Sequence, residues 1–176
     1  MRIVTYGAAC SLDGYIARSS GAVDWLVWSK DVTRVNSAYL SRVDTILMGR
    51  KTYEAGRVLG EVATPGCTTY VFSRTLERAP ESGVNLIRED ATAFVADLRA
   101  GAGKEICLMG GGELAATLFA ADLIDQVGVN IQPLLLGEGV PLFRPMRRPI
   151  ELELIQTEQL ARGCVYAVYR VRRPGL

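Results

Sequence analysis

Short apolar runs alternate along this chain with segments whose apolar residues recur at helical spacing. The runs predict buried strands at Arg2–Cys10, Asp44–Met48, Thr68–Phe72, Val84–Arg88 and Glu105–Met109. The helical spacing predicts helices at Asp31–Val43, Arg50–Leu59, Ala91–Arg99 and Glu113–Ala121. Uninterrupted apolar strands separated by short helices are typical of a mostly parallel sheet with helices on both faces.

The last part of the chain has a different pattern. Val127–Gln132, Glu151–Glu158 and Cys164–Val171 alternate apolar with polar residues or adjoin tight turns. This pattern predicts antiparallel strands at one edge of the sheet. The chain of 176 residues has the length of one domain. We therefore expect a single α/β domain over residues 1–176 with an antiparallel C-terminal hairpin.

The net charge and the cysteine positions limit the expected partners and the expected cellular location. The net charge is +1, with 20 Lys and Arg against 19 Asp and Glu, so neither nucleic acid nor an anionic membrane is the expected partner. No apolar stretch approaches the roughly 20 residues of a membrane span. The four cysteines form no CxxC pair, which suggests neither a disulfide framework nor a cysteine metal site. A reducing, cytoplasmic location is the expectation.

The chain contains no histidine. This absence excludes Ser-His-Asp and Cys-His nucleophilic sites, histidine general bases and imidazole zinc sites. No metal is therefore expected, and any catalysis has to depend on other groups.

A glycine triplet stands between a predicted buried strand and a predicted helix, in Met109-Gly110-Gly111-Gly112-Glu113. Glycines allow close approach of a ligand to the backbone, and a helix N-terminus offers unpaired N–H groups to a phosphate. The triplet is not the GxGxxG fingerprint, and a sharp turn alone also requires glycine. Both interpretations stay open for this motif by itself.

Two more junctions follow predicted strands. Gly49-Arg50-Lys51-Thr52 places two cations and a hydroxyl at a helix start, and Ser73-Arg74-Thr75 places a guanidinium between two hydroxyls. Arginine gives forked hydrogen bonds to phosphate. Because ligands of parallel α/β sheets bind at the carboxyl ends of the strands, the three junctions are expected on one rim.

These motifs, in this order with Leu12-Asp13-Gly14, Pro133–Phe143 and Gly163–Val171, resemble the dihydrofolate reductase-like superfamily. The resemblance is greatest to the C-terminal reductase domain of the bifunctional riboflavin-biosynthesis deaminase-reductase, and it covers nearly the whole chain. It implies the dihydrofolate reductase-like fold, NADPH as the cofactor, a small-molecule substrate and a homodimer. The resemblance also implies that the Gly110–Gly111 peptide corresponds to one that is cis in dihydrofolate reductases.

The resemblance implies a role for each cofactor-binding residue. Gly49, Arg50, Lys51 and Thr52 would hold the pyrophosphate and the adenosine side, and Ser73, Arg74 and Thr75 would hold the 2′-phosphate. Gly110, Gly111, Gly112, Glu113 and Leu114 would cradle the pyrophosphate. Ala8, Ala9 and the Ser11–Ile16 segment, which includes Gly14, would border the nicotinamide, opposite the loop at Leu136–Gly139.

Four residues are candidates for the catalytic and substrate side: Asp13, Asp24, Asp31 and Trp25. Each also has a local interpretation. Asp13 and Asp24 suit turns, Asp31 suits the first turn of a helix, and Trp25 suits a core or an interface. Leu59–Tyr70 contains no Lys or Arg to hold a folate tail, so folate is disfavoured as the substrate.

The leading hypothesis is an NADPH-dependent reductase that transfers a hydride to a small pyrimidine- or pteridine-like heterocycle. The alternatives are an NADPH-binding sensor without turnover, and a dihydrofolate reductase proper. A structural protein whose glycine turns bind nothing is a further reading.

Overall fold

One large sheet forms the centre of the protein. The computed structural model describes residues 1–60, 62–77 and 82–173. The strands are β1 (Val4–Ser11), β2 (Tyr15–Ala17), β3 (Val43–Gly49), β4 (Thr68–Phe72), β5 (Val84–Ile87), β6 (Glu105–Met109), β7 (Gln126–Gln132), β8 (Val140–Pro141), β9 (Leu152–Gln159) and β10 (Val165–Val171). The helices are α1 (Lys30–Leu40), α2 (Arg50–Leu59), α3 (Ala91–Ala100) and α4 (Gly112–Ala120).

Eight strands pair in the order β5-β4-β3-β6-β1-β7-β10-β9. All pairs from β5 to β7 are parallel, and β10 runs antiparallel to both of its neighbours, β7 and β9. The predicted mostly parallel sheet and the C-terminal hairpin are confirmed. The strand predicted at Val127–Gln132 forms as β7, and it pairs antiparallel with β10 as expected. The prediction is wrong for the other neighbour of β7, because β7 runs parallel to β1. Alternation of apolar and polar residues indicates which face of a strand is apolar. It does not indicate whether the strand runs parallel or antiparallel to its neighbour.

Helices cover both faces of the sheet. In β3, Leu47 packs with the side chains of α3 and α4, whereas Ile46 and Met48 pack with Tyr53 of α2. Both faces of the central strands are thus buried, which explains their nearly continuous apolar sequence. None of the described helices has the length and the apolar character that a membrane crossing needs.

The structure corrects the boundary between α1 and β3 and adds a small sheet. Helix α1 ends at Leu40, and Val43 already belongs to β3, so the helix predicted over Asp31–Val43 extends too far. The apolar spacing continued through Val43 because that side chain packs into the core from the strand. A second, two-stranded sheet joins β2 to β8 antiparallel, and nothing in the local sequence predicted it.

Candidate functional site

A cleft of about 610 Å³ opens at the carboxyl ends of β3, β4 and β6. We call it the glycine cleft because Gly49 and the glycine triplet at Gly110 to Gly112 line it. The Ser73-Arg74-Thr75 segment completes the same rim. The three strand-end junctions singled out in the sequence therefore meet in one cavity.

Two helices point uncapped N-termini at the glycine cleft. The N-cap of α2 is Gly49 and that of α4 is Gly111, and neither helix has a side chain that caps its first N–H groups. The other two helices are capped: the Ser29 hydroxyl accepts from Val32 in α1, and the Asp90 carboxylate accepts from Ala93 in α3. Uncapped N–H groups and the positive end of the helix dipole together favour an anion.

The glycine triplet needs its glycines for geometry. Gly110 and Gly111 have φ of +58° and +77°, the left-handed region that favours glycine. A Cβ on Gly110 would lie 3.2 Å from Thr52 Oγ1, and one on Gly112 would lie 3.1 Å from the Leu142 carbonyl oxygen. No peptide bond of the described residues is cis, so the cis form expected at Gly110–Gly111 is not seen. The positive φ angles turn the chain there.

The rim of the glycine cleft carries an excess of positive charge. Arg50 binds Glu54 of the same helix at 2.7 Å, and Arg144 binds Glu113 at 3.0 Å. The other two cations of the rim, Lys51 and Arg74, make no ion pair with any described residue.

The turn that carries Arg74 is itself held in place. The Ser73 hydroxyl accepts hydrogen bonds from the N–H groups of Thr75 at 3.3 Å and Leu76 at 2.9 Å. The Ser73 N–H donates to the Ile87 carbonyl of β5 at 3.1 Å. Arg74, which lines the glycine cleft, thus lies in a turn that hydrogen bonds hold in place.

A second cleft of about 520 Å³ lies between α1 and the sheet. We call it the polar cleft because neutral polar side chains line its floor. The floor comes from alternate positions of neighbouring strands, Thr5, Gly7 and Ala9 on β1 and Gly128, Asn130 and Gln132 on β7. The small side chains on β1 leave room above the sheet, and the alternate residues Val127 and Val129 pack into the core on the opposite face.

The two clefts adjoin. Seven residues line both of them: Gly7, Ala8, Ala9, Leu26, Trp28, Met48 and Met109. The indole of Trp28 is 61% exposed and stands in this shared wall. A ligand in the glycine cleft can therefore meet a ligand in the polar cleft across the small residues of β1.

Tyr39 of α1 lines the polar cleft with its ring, but its hydroxyl is buried below the cleft surface. The hydroxyl oxygen lies beside the side chains of Cys107 and Thr5. Burial, with the nearby Cys107 thiol, raises the pKa of Tyr39 well above its usual range. The group stays protonated at neutral pH, so it can donate a hydrogen bond.

The glycine cleft collects the cofactor residues expected from the sequence, with Gly14 as the exception. Those it brings together are Ala8, Ala9, Gly49, Arg50, Lys51, Thr52, Ser73, Arg74, Thr75, Gly110, Gly111, Gly112, Glu113 and Leu114. Gly14 lies in the turn before β2, at φ +84°, where its N–H donates to the Ser11 carbonyl.

Asp13 holds a loop and lines neither cleft. Its carboxylate accepts from the Ser11 hydroxyl at 2.6 Å and from the N–H groups of Gly137 at 2.7 Å and Leu136 at 3.1 Å. The Ser11 hydrogen bond, with those of the loop N–H groups, lowers the pKa of Asp13. Asp13 thus ties the turn after β1 to the Leu136–Gly139 loop.

The other three catalytic candidates also line neither cleft. Asp24 forms an exposed ion pair with Arg18, which lowers the pKa of Asp24. Asp31 lies in the first turn of α1 and accepts from the Ala161 N–H at 3.1 Å. Trp25 is buried at 9% exposure, and its Nε1 has no partner among the described residues. Asp24 and Asp31 thus make local polar contacts and Trp25 is buried, in line with the local interpretations of their sequence context.

Sequence reasoning missed the floor of the polar cleft. A signal was present in β7, where Gly128, Asn130 and Gln132 alternate with apolar residues inside a strand that is buried on both faces. Buried polar side chains are normally hydrogen-bonded and therefore demand an explanation. Tyr39 gave no such signal, because its spacing equals that of the core residues of α1.

Comparison with known proteins agrees with this geometry. The family model described as the RibD C-terminal domain matches residues 2–166. A crystal structure of a putative riboflavin biosynthesis protein from Shewanella sp. PV-4 superposes with a TM-score of 0.85 at 28% identity, covering 97% of this chain and 99% of that one. Dihydrofolate reductase from Enterococcus faecalis, solved in complex with NADP(H), has a TM-score of 0.71 at 17% identity, and 97% of each chain is covered.

Two relatives come from Bacillus subtilis (strain 168). The uncharacterised protein YwjB is 35% identical over 157 residues, which is 88% of this chain and 90% of YwjB. The uncharacterised protein YyaP is 31% identical over 180 residues, with 96% of this chain and 94% of YyaP covered.

The fold is that of the dihydrofolate reductase-like proteins, as the sequence predicted. Within that class, the chain belongs to the RibD C-terminal domain family. Fold and family together support a function of the reductase type.

Proposed function

We propose that the protein is an NADPH-dependent reductase that transfers a hydride to a small pyrimidine- or pteridine-like heterocycle. NADPH would occupy the glycine cleft, and the heterocycle would occupy the polar cleft. The bound cofactor supplies the hydride, which a C=N or C=O carbon of the substrate accepts, and a proton completes the reduction at the nitrogen or oxygen. The residues of this chain then have to bind, orient and exclude water.

The observation that carries the proposal is the pair of uncapped helix N-termini in one electropositive cleft. The N–H groups of α2 and α4 would bind the pyrophosphate, one from each side. Lys51 and Arg74 make no ion pair with any residue that the structure describes, so their charges are available for phosphate groups. The other two helices of the described chain, capped by Ser29 and Asp90, offer no comparable donors.

The shared wall explains how two rings would come into contact. Gly7, Ala8 and Ala9 carry almost no side chain, so they allow a nicotinamide to lie flat on β1 next to the polar cleft. Trp28 and Leu26 stand beside the same junction and would shield it from water. Orientation and exclusion of water require no histidine, in agreement with the composition.

The cofactor assignment is tested with Arg74→Ala. Arg74 would contact the 2′-phosphate that NADPH has and NADH lacks, so we expect about tenfold weaker NADPH binding and unchanged NADH binding. Arg147 is exposed and lines neither cleft, so Arg147→Ala is the matched control. Titration of nicotinamide fluorescence measures both cofactors. An equal loss for NADPH and NADH would contradict the 2′-phosphate assignment, and no binding at millimolar concentration would remove the proposed function.

Turnover is tested by NADPH oxidation with a panel of pteridines and aminouracils. Oxidation that requires one of these rings supports the reductase. NADPH binding without turnover on any member would instead favour the sensor, in which the same clefts bind without chemistry.

A further inference from the structure

A third cleft lies at the edge of the sheet opposite the glycine cleft. Its volume is about 910 Å³, and its lining comes from the segments where β1, β7 and β9 begin and where β10 ends. Because β1 and β7 run parallel to β3, β4 and β6, their first residues lie at the edge away from the glycine cleft. We call this third cleft the arginine cavity. The arginines that line it within the described chain are Arg2, Arg99, Arg148, Arg170, Arg172 and Arg173.

Backbone hydrogen bonds bring these arginines together from distant parts of the chain. The Arg2 N–H donates to the Arg99 carbonyl at 2.8 Å, which joins the segment before β1 to the end of α3. The Arg172 N–H donates to the Glu151 carbonyl at 2.9 Å, which joins the residues after β10 to the start of β9. The fold, and not one run of basic sequence, therefore assembles the cavity.

One carboxylate compensates two of the guanidinium groups. Asp125 Oδ1 accepts from Arg99 Nη2 at 2.6 Å and from Arg173 Nη2 at 2.7 Å. The other oxygen, Asp125 Oδ2, accepts from the Val4 N–H at 2.9 Å. Two positive charges thus share one negative charge. The Arg99 side chain is only 13% exposed, so water screens this charge less than it would at an open surface.

Three arginines of the cavity have N–H groups left to donate. Arg172 is exposed and makes no ion pair with any described residue. Arg170 pairs with Glu153 at 3.4 Å, where the side chains are 58% and 43% exposed, and an ion pair this exposed contributes little. Arg173 is 27% exposed and uses only Nη2 in its contacts with described residues.

The charge balance of the cavity favours an anion. Its described lining contains six guanidinium groups and three carboxylates, which are those of Asp125, Glu151 and Glu153. Two more carboxylates, those of Asp44 and Asp122, bind Arg2 and Arg148 from outside the lining, and the cations still exceed the anions. A concave surface with an excess of one charge concentrates counter-ions.

The lining also indicates what kind of anion fits. No described residue of the lining is aromatic, so a nucleobase finds no ring on which to stack. Glu151 is exposed in the lining and the net charge of the protein is only +1, so nucleic acid or an anionic membrane would meet local repulsion without an overall attraction. Arginine gives forked hydrogen bonds to phosphate, and guanidinium groups from several segments suit a compact anion with several charged oxygens.

We propose that the arginine cavity is a second anion-binding site, which takes a small oligophosphate through the guanidinium groups of Arg170, Arg172 and Arg173. This inference goes beyond the proposed function and does not depend on it, because the glycine cleft lies at the other edge of the sheet. Each added phosphate group brings negative charge to cations that the described residues leave incompletely compensated. Affinity should therefore rise with the number of phosphate groups.

Titration of isotope-labelled protein with sodium tripolyphosphate, followed by NMR, tests the proposal and locates the site. The backbone amide signals of residues 170–173 should shift, and tripolyphosphate should bind there about tenfold more tightly than orthophosphate. The amide signals of Gly110 to Gly112 report on the glycine cleft, so binding of the probe in that cleft is measured separately. No shift at residues 170–173 at millimolar concentration, or equal affinity for the two probes, would overturn the proposal.

Variants of opposite sign connect the binding to the charges of the cavity. Arg172→Gln should weaken tripolyphosphate severalfold, and the double variant with Arg170→Gln should weaken it by about tenfold. Glu151→Gln removes a carboxylate from the lining, so it should tighten binding by about threefold. Arg147→Gln is the matched control, because Arg147 is exposed, neighbours the cavity in sequence and lines none of the three clefts.

The control separates a defined site from a response to net charge. Arg147→Gln and Arg172→Gln remove the same charge, but only Arg172→Gln should change the affinity appreciably. All four substituted side chains belong to exposed residues, so the melting temperature should change little, and circular dichroism verifies folding. Equal weakening by Arg147→Gln and Arg172→Gln, unchanged binding in the double variant, or weaker binding in Glu151→Gln would each contradict the assignment.

Discussion

A methyl group added at Gly139 would crowd the backbone of a neighbouring strand. Gly139 lies just before β8 with φ of +154°, and a Cβ there would stand 2.2 Å from the Ala17 carbonyl oxygen of β2. It would also stand 3.3 Å from Tyr15 Cδ1. Gly137, two residues earlier in the same loop, has φ of +77°, and a Cβ added there would meet nothing within 4 Å. Gly139→Ala and Gly137→Ala therefore differ in crowding within one loop.

The expected magnitudes follow from these contacts. A positive φ costs an alanine about 1–2 kcal/mol, and this is the whole penalty at Gly137. At Gly139 the contact with a backbone oxygen has to open by about 1 Å, which forces β2 and β8 apart and adds about 2 kcal/mol. In a protein of this length 1 kcal/mol lowers the melting temperature by roughly 2–4 °C. We expect losses of about 4 °C for Gly137→Ala and about 10 °C for Gly139→Ala.

Thermal unfolding followed by circular dichroism measures both variants, and NADPH titration adds a functional readout. Ile16, Ala17 and Val140 of the small sheet line the glycine cleft, so Gly139→Ala should also weaken the cofactor more than Gly137→Ala does. Equal melting temperatures for the two variants would refute the argument, because they would show that the close approach at Gly139 imposes no constraint.

Three further outcomes are expected. Hydrogen bonds lower the pKa of Asp13, so the stabilising contribution of its carboxylate is present at neutral pH and is lost as the pH falls below about 4. Asp13→Asn should therefore be less stable than the wild type at pH 7. Urea unfolding measured at a series of pH values should show this difference vanish on acidification. Burial raises the pKa of Cys10 and Cys107 to about 11, so thiol reagents should label these two cysteines only in denaturant. Labelling of Cys10 or Cys107 in the native protein, located by peptide mapping, would contradict this; Cys67 is only partly buried and serves as the positive control. Leu118 is fully buried under the sheet, and Leu118→Ala should cost about 3 kcal/mol of unfolding free energy; a loss below 1 kcal/mol would show that the site collapses around the cavity.

The parts of the fold that were predictable are those encoded over a few consecutive residues. The run Asp44–Met48 is apolar without alternation because helices cover both sides of that strand, and β6 has the same property. The three glycine or hydroxyl junctions could be placed on one rim, since parallel strands put their carboxyl ends at the same edge. The cleft residues at the ends of β3, β4 and β6 follow from that single rule, whereas those of β1 and of the small sheet do not.

The parts that were not predictable depend on segments far apart in the chain. The pairing of β2 with β8 joins Tyr15 to Pro141, and neither segment signals the other. Helix α1 ended earlier than its apolar spacing indicated, because Val43 packs into the core from a strand. The Asp13 carboxylate accepts a hydrogen bond from the distant Gly137 N–H, and no local sequence pattern predicts this contact.

Local sequence therefore determined the alternation of strands and helices, the parallel sheet and the phosphate-type junctions, because hydrophobic periodicity and glycine turns act between near neighbours. Tertiary structure alone decided the polarity of the second cleft. The Val27 N–H, the Gln132 amide and the Asn130 amide come from a loop and a strand about a hundred positions apart. Each group is chemically ambiguous by itself, and it acquires a defined hydrogen-bonding direction only when folding places the next one beside it.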